Sequence, residues 1–382
     1  MAKDNRSRQL LESLKARQAE MLETLRGLVL IESPSNDKPA LNRLAQYLAR
    51  EFARRGGRPH VHRQESAGDH VQMEFSGGSG KPILLLGHYD SVWPLGTVTK
   101  MPFRTDGRRA YGPGIFDMKA GIVMMLYALE VLAQSASLPR PVSVLLVSDE
   151  EVGSASSRAI TEGLARRCGA VLVAEPSFGP QGACKTARKG VGDFHLRVEG
   201  VAAHSGLDFE KGHNAVLELA RQLDRVARFT DRKRGLTVSP NIIRGGTRGN
   251  VVPAEAEADI DVRIAREKDG AYIAKRFHSL RAMDRKCKVR VSGGINRPPL
   301  ERTKQVARLY GIARDIAREL GFNLKEAAVG GGSDGNFTAG LGIPTLDGIG
   351  AVGDGAHAAN EHIVVEELPR RAALLARLIE TV

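Results

Sequence analysis

The sequence predicts an α/β fold in which buried strands and helices form one domain and an α+β domain is inserted within it. Three observations carry this expectation. Short apolar runs without alternation, at 83–86, 142–147, 171–174 and 343–346, are separated by stretches of helical spacing, as in parallel strands covered on both faces. Over 186–296 the strands instead alternate strictly between apolar and polar residues, as half-exposed strands do. Helical spacing then returns at 304–320. The expected division is therefore 1–185 with 297–382 for the first domain, and 186–296 for the insertion.

The elements follow in order. Leu10, Leu11, Leu14, Met21, Leu22, Leu25 and Leu28 recur at threes and fours, and Leu41, Leu44, Tyr47 and Leu48 do so after Pro39, so the chain opens with helices. The run 83–86 is the first strand, 118–133 a helix, and 142–147 and 171–174 two further strands. Within the insertion, Phe194, Leu196 and Val198 interleave with His195, Arg197 and Glu199, and Ala258, Ile260, Val262 and Ile264 with Asp259, Asp261 and Arg263. Helical stretches at 214–226 and 271–283 complete a strand-helix-strand-strand-helix-strand order, the split βαβ or ferredoxin-like plan.

Composition narrows the function classes. A chain of 382 residues with 42% apolar and 26% charged residues is ordinary globular material for two or three compact units, which excludes collagen, coiled coil and disorder. The net charge of +12 would permit a nucleic-acid partner, but the basic residues lie in short scattered groups such as Arg54-Arg55 and Arg232-Lys233-Arg234, and aromatics are only 5%. No nucleic-acid role is expected. Cys168, Cys184 and Cys287 form neither a disulfide framework nor a C-x-x-C site, which suits a reducing compartment. No apolar run nears the ~20 residues of a membrane helix, and the polar stretch 1–11 lacks a signal-like core. The expectation is a cytoplasmic protein with no membrane partner.

Several apolar runs lead into acidic or imidazole side chains, at the sheet edge where α/β sites form. The first ends Gly87-His88-Tyr89-Asp90; residues i and i+2 share a strand face, so His88 can bind a metal while Asp90 takes its other ring N–H, or the two form a plain hydrogen-bonded pair. Asp117 stands at the end of a glycine-flanked turn, either as a ligand or as a helix N-cap. Asp149-Glu150-Glu151 follow a valine-rich strand, where adjacent carboxylates suit a cation, a solvated loop or the first turn of a helix. Glu175 closes another run, and His357 lies in a stretch, 355–362, that matches neither H-E-x-x-H nor H-x-x-E-H. Gly77-Gly78-Ser79-Gly80-Lys81 fails the phosphate-loop spacing and reads as a turn. Gly330-Gly331-Gly332-Ser333 is either a linker or a cradle of backbone N–H groups for an anion. Two histidines and three carboxylates in separate loops are together the donor set of a pair of divalent ions.

The ordered set His88-Tyr89-Asp90, Gly114-Ile115-Phe116-Asp117-Met118-Lys119, Asp149-Glu150-Glu151-Val152-Gly153-Ser154, Ala174-Glu175-Pro176 and Gly355-Ala356-His357 resembles the co-catalytic zinc aminoacylase/carboxypeptidase superfamily, most of all its glutamate carboxypeptidase branch. The likeness extends to Ala203-His204-Ser205-Gly206 and Asn250-Val251-Val252-Pro253 in the insertion. It implies a catalytic domain with a mixed sheet flanked by helices, and a lid and dimerisation domain. It further implies two Zn2+ ions, with Co2+ or Mn2+ as substitutes. Asp117 would bridge them, His88 and Glu175 would complete one site, and Glu151 and His357 the other. Asp90 would orient His88, and Glu150 would be the general base. His204 would stabilise the oxyanion, its plain reading being a polar turn residue. Asn250 and Arg263 would grip the substrate carboxylate, although Arg263 could equally neutralise Glu257, Asp259 and Asp261 on its own strand. Gly332 and Ser333 would assist at the same end. The implied activity is cleavage of N-acyl amino acids or short peptides with release of a C-terminal amino acid, glutamate first. The alternatives are deacylation of N-acetyl or N-succinyl amino acids and, remotely, a non-catalytic dimeric binding protein.

Overall fold

The computed structural model describes residues 2–135 and 138–382. The chain divides into two compact units: Met1–Ala187 with Arg302–Val329 and Ser333–Val382, and Arg188–Glu301 with Gly330–Gly332.

The first unit is built on a six-stranded mixed sheet in the order Arg58–His62, His70–Phe75, Val142–Val147, Ile83–His88, Ala170–Val173, Thr345–Leu346. The last four strands are parallel, and the first two pair antiparallel. Alternate side chains enter opposite cores. Ile83, Leu85, Val144 and Leu146 join the helices Gln18–Leu30, Lys38–Ala53, Ala120–Ser135 and Glu367–Thr381, whereas Leu84, Leu86, Leu145 and Val147 face Leu164 and Ala165 of Arg158–Ala165. Burial on both faces is why these strands read as unbroken apolar runs. Asp37 starts the helix Lys38–Ala53 by accepting the Ala40 N–H at 2.8 Å, with Pro39 in the first turn.

Three details depart from expectation. The strands Arg58–His62 and His70–Phe75 are additional; the former is an exposed edge carrying His60 and His62, and the latter buries Val71, Met73 and Phe75 between His70, Gln72 and Glu74, which find polar partners. The run expected at 343–346 narrows to Thr345–Leu346, since Pro344 has no N–H for the ladder, although its carbonyl still accepts from Val171 at 2.8 Å. The helix expected from 118 begins regularly only at Ala120, because Asp117 (φ −113°, ψ 94°) and Met118 leave helical geometry. Asp117 is thus not an N-cap.

The second unit is a four-stranded antiparallel sheet, in the order Thr237–Gly245, Glu255–Ile264, Gly190–Glu199, Lys288–Arg297, with the helices Ala215–Ala227 and Glu267–His278. This is the ferredoxin-like plan. Phe194, Leu196, Val198, Ala258, Ile260 and Val262 pack on Leu219, Val226, Ile273 and Phe277, with the Phe194 and Phe277 rings stacked at 4.0 Å. The unit continues past 296 because the last strand runs to Arg297 and Leu300 exchanges two backbone hydrogen bonds with Arg188.

Candidate metal centre

Three of the donors end or follow buried strands of the first unit, whereas Asp117 and His357 lie in turns that do not. His88 ends its strand, Glu150 and Glu151 open a short turn after Val142–Val147, Glu175 follows Ala170–Val173, and His357 lies in the loop after Gly353–Asp354 with φ 63°. Among the described residues two groups of three donors converge, His88 with Asp117 and Glu175, and Asp117 with Glu151 and His357.

The distances define the geometry. His88 Nε2 lies 3.1 Å from Asp117 Oδ1 and 3.4 Å from Glu175 Oε1. His357 Nε2 lies 3.1 Å from Glu151 Oε1 and 3.6 Å from Asp117 Oδ2. Asp117 therefore offers one oxygen to each group. Ligands about 2.0–2.1 Å from a tetrahedral ion stand about 3.3 Å apart, so the observed separations match the edges of such a site. The donors, imidazole nitrogen and carboxylate oxygen without thiolate, suit zinc and its borderline neighbours. The residues present fit a pair of divalent ions.

The titration directions express the same convergence. Burial pushes the His88 imidazole down, but hydrogen bonds to Asp117, Asp90 and Glu175 outweigh it and raise it well above the ordinary value. His357 is raised to about 10, first by Asp117 and then by Glu151. Burial pushes Asp117 up, yet His357 and His88 hold it well below the usual carboxylate range. Burial raises Glu151, with His357 opposing. Lone pairs aimed at a common point attract protons when no other cation is there.

Asp90, buried at 1% exposure, organises the surroundings. Its Oδ1 lies 3.3 Å from His88 Nδ1 and accepts the Glu150 N–H at 3.2 Å. Its Oδ2 accepts the Glu151 N–H at 3.2 Å and the Ser35 hydroxyl at 2.8 Å. His88 Nδ1 donates to the Asp90 main-chain carbonyl at 3.2 Å with the carboxylate beside it, and that carboxylate anchors the turn bearing Glu150 and Glu151.

Four of the expected site residues lie in the second unit. His204 is exposed in the strand Ala203–His204, and its Nδ1 accepts the N–H groups of Gly206 and Leu207 at 3.1 and 3.2 Å, so its proton resides on Nε2. The carbonyl of Asn250 accepts from the Ser205 N–H at 3.0 Å. Arg263 donates through Nε and Nη2 to Asp261 at 2.7–3.0 Å, the neutralising contact its strand neighbours allow. The carbonyl of Gly332 accepts from Arg188 Nη1 at 3.0 Å.

Ser333, in the first unit, requires a correction. Its N–H is taken by Asn336 Oδ1 at 3.0 Å and its buried hydroxyl donates to Asp347 at 2.5 Å, so it begins the turn into the helix Gly335–Gly340 and presents no N–H to an anion. The sequence reading also missed Ser35 and Glu361. Glu361 lies in the 355–362 stretch, where an acid four residues after His357 was the available signal.

Comparisons with known proteins identify the family. The family model for peptidase family M20/M25/M40 matches residues 84–381. Carboxypeptidase G2 of Pseudomonas sp. (strain RS-16) is 31% identical over 372 residues, 95% of this chain and 89% of that protein. Succinyl-diaminopimelate desuccinylase of Stenotrophomonas maltophilia (strain K279a) is 28% identical over 335 residues, 82% and 87% of the two chains. Among solved structures, aminopeptidase PepT from Bacillus cereus ATCC 10987 shares the fold with a TM-score of 0.79 at 21% identity, covering 95% of this chain and 98% of that one. The match reaches from the strand bearing His88 through every donor loop and the inserted unit to the C-terminal helix, and the chain belongs to the M20/M25/M40 peptidases, a family of metal-dependent hydrolases.

Proposed function

We propose that this chain is a dizinc amide hydrolase that releases a C-terminal amino acid, glutamate as first choice, from N-acyl amino acids or short peptides. The observation that carries the reading is Asp117, one oxygen toward each donor group, beside the turn that holds Glu150. When bound, the ions would polarise the scissile carbonyl and make a water acidic enough to attack near neutral pH. Glu150 then does the proton work: its carboxylate takes the proton from the attacking water and returns it to the amine nitrogen as the C–N bond breaks. Asp90 keeps Glu150 and Glu151 in register through their N–H groups while orienting His88.

We assign His204, with its proton on Nε2, to donate to the developing oxyanion. Asn250 and Arg263 are assigned to the substrate carboxylate; Arg263 would share its guanidinium between that group and Asp261. For the insertion we propose a lid role and pairing with a second copy through the edge strand Thr237–Gly245, where Ile242 and Ile243 are 45% and 60% exposed. Three buried, unbridged cysteines support a reducing, cytoplasmic setting. Among the described residues no helix is long and apolar enough to cross a membrane.

The likeness to succinyl-diaminopimelate desuccinylase supports a second reading, deacylation of N-acetyl or N-succinyl amino acids by the same centre. A substrate panel with metal analysis decides. Glutamate release from N-benzoyl- or folate-like compounds supports the first reading, turnover restricted to N-acetylornithine- or N-succinyl-type compounds the second. A metal-loaded protein that hydrolyses neither class would overturn both in favour of a non-catalytic binding protein.

A further inference from the structure

We infer that Glu361 is a positioning residue that holds the shared ligand Asp117 and the His357 loop in one frame and so sets the affinity of the whole two-cation centre; this rests on the metal-binding reading above. The side chain is 1% exposed and accepts four hydrogen bonds. Oε1 takes the N–H groups of Phe116 (2.9 Å) and Asp117 (3.1 Å). Oε2 takes the Gly114 N–H (2.9 Å) and the indole N–H of Trp93 (2.8 Å). With four donors converging, both oxygens act only as acceptors.

Three of those donors belong to the turn that carries Asp117, whose Ile115, Phe116 and Met118 side chains are buried in the core of the first unit. Gly114 is left-handed at φ 68°, and Asp117 and Met118 are non-helical, so the Gly114, Phe116 and Asp117 N–H groups lie ahead of the regular helix. Buried N–H groups need acceptors, and Glu361 supplies them. Its own backbone is tied as well: its N–H donates to Ala358 O at 2.9 Å and its carbonyl accepts from Gly112 at 3.4 Å. The Ala358 N–H in turn closes on Gly355, enclosing His357 in a short loop. Trp93 follows Asp90 by three residues, so one carboxylate joins the segments that bear Asp90, Asp117 and His357. Because Asp117 serves both donor groups, a displaced turn weakens both ions together. Glu361 reaches none of the reacting atoms; its effect passes through the ligands it holds.

Replacing Glu361 by Gln keeps the shape but turns an NH2 toward two of the four donors. Chelator competition with Zn2+ on the purified full chain is expected to show 10–100-fold weaker binding of both ions, the range typical of groups that hold metal ligands. Trp93→Phe removes a single donor and should weaken Zn2+ in the same direction by less. Glu218→Gln is the control for loss of a buried carboxylate: Glu218 is fully buried and accepts the N–H groups of Met283 (2.9 Å) and Asp284 (3.0 Å) within the second unit. It should lower thermal stability and leave Zn2+ affinity alone. Wild-type Zn2+ affinity in folded Glu361→Gln, or an equal loss in Glu218→Gln, would overturn the inference. If Glu361→Gln does not fold, Trp93→Phe decides, and unchanged affinity there overturns it. A wild-type chain that takes up no Zn2+ would overturn the metal-binding reading, and this inference with it.

Discussion

Replacing Asp90 by Asn tests how the donor loops are held together. Asp90 accepts the N–H groups of Glu150 and Glu151 on opposite oxygens, each at 3.2 Å, with His88 Nδ1 beside Oδ1 and the Ser35 hydroxyl on Oδ2. An amide can serve only one of those backbone donors. The Ser35 hydroxyl can turn and accept from an NH2, so the favoured orientation places the NH2 on the Oδ2 side and leaves the Glu151 N–H facing a donor. A buried unsatisfied N–H costs about 1–3 kcal/mol. Part of that falls on the ligand-bearing turn, and His88 also loses the charge that favours its ligand tautomer. Weakening of this kind typically lowers metal affinity or activity 10–100-fold. The assay is Zn2+ competition together with kcat/KM on the best substrate of the panel. Wild-type values of both in a folded Asp90→Asn protein would refute the assignment of Asp90 as the anchor of these loops.

Two further outcomes are expected. Glu150→Gln should lose about 10²–10⁴ in kcat while retaining both ions, since the turn is held through backbone N–H groups that the substitution leaves in place; stopped-flow or endpoint assays with metal analysis check it, and undiminished kcat would remove Glu150 from the proton role. His70 is fully buried, with Nδ1 3.2 Å from the Ser148 N–H and Nε2 3.0 Å from the Ser156 hydroxyl, and burial lowers its pKa below 6.5, with Asp149 opposing. Below about pH 6.5 the unfolded chain takes up a proton that the folded chain resists, so stability falls with pH until the depressed folded value is reached. The melting temperature of wild type should therefore drop between pH 7.5 and 5 more steeply than that of His70→Gln measured in the same buffers, and parallel curves would contradict this.

Three of the donor loops, those of His88, Glu151 and Glu175, were readable from sequence because they follow strands buried on both faces, which announce themselves as unbroken apolar runs ending in polar residues; Asp117 and His357 follow no such run and stood out only through a glycine-flanked turn and the resemblance of the ordered set. The insertion was readable because two of its strands, Gly190–Glu199 and Glu255–Ile264, bury one face only and alternate. What escaped depends on partners distant in the chain. His70, Gln72 and Glu74 make His70–Phe75 look polar until Ser156, His62 and Ser143 are found beside them. Glu361 looked like part of a failed helical zinc motif, and only the fold shows the four N–H groups it collects. Ser333 shows the reverse: a glycine-rich stretch suggested open N–H groups, but Asn336, three residues on, closes the Ser333 N–H locally.

Metal stoichiometry of wild type and Asp117→Ala, by native mass spectrometry in the presence of Zn2+, addresses the shared carboxylate directly. Wild type should hold two ions per chain. Without Asp117 each group is left with two donors, His88 with Glu175 and His357 with Glu151, and tight binding of both ions should disappear together. A folded Asp117→Ala protein that still holds one or two ions tightly would contradict the view that a single side chain serves both.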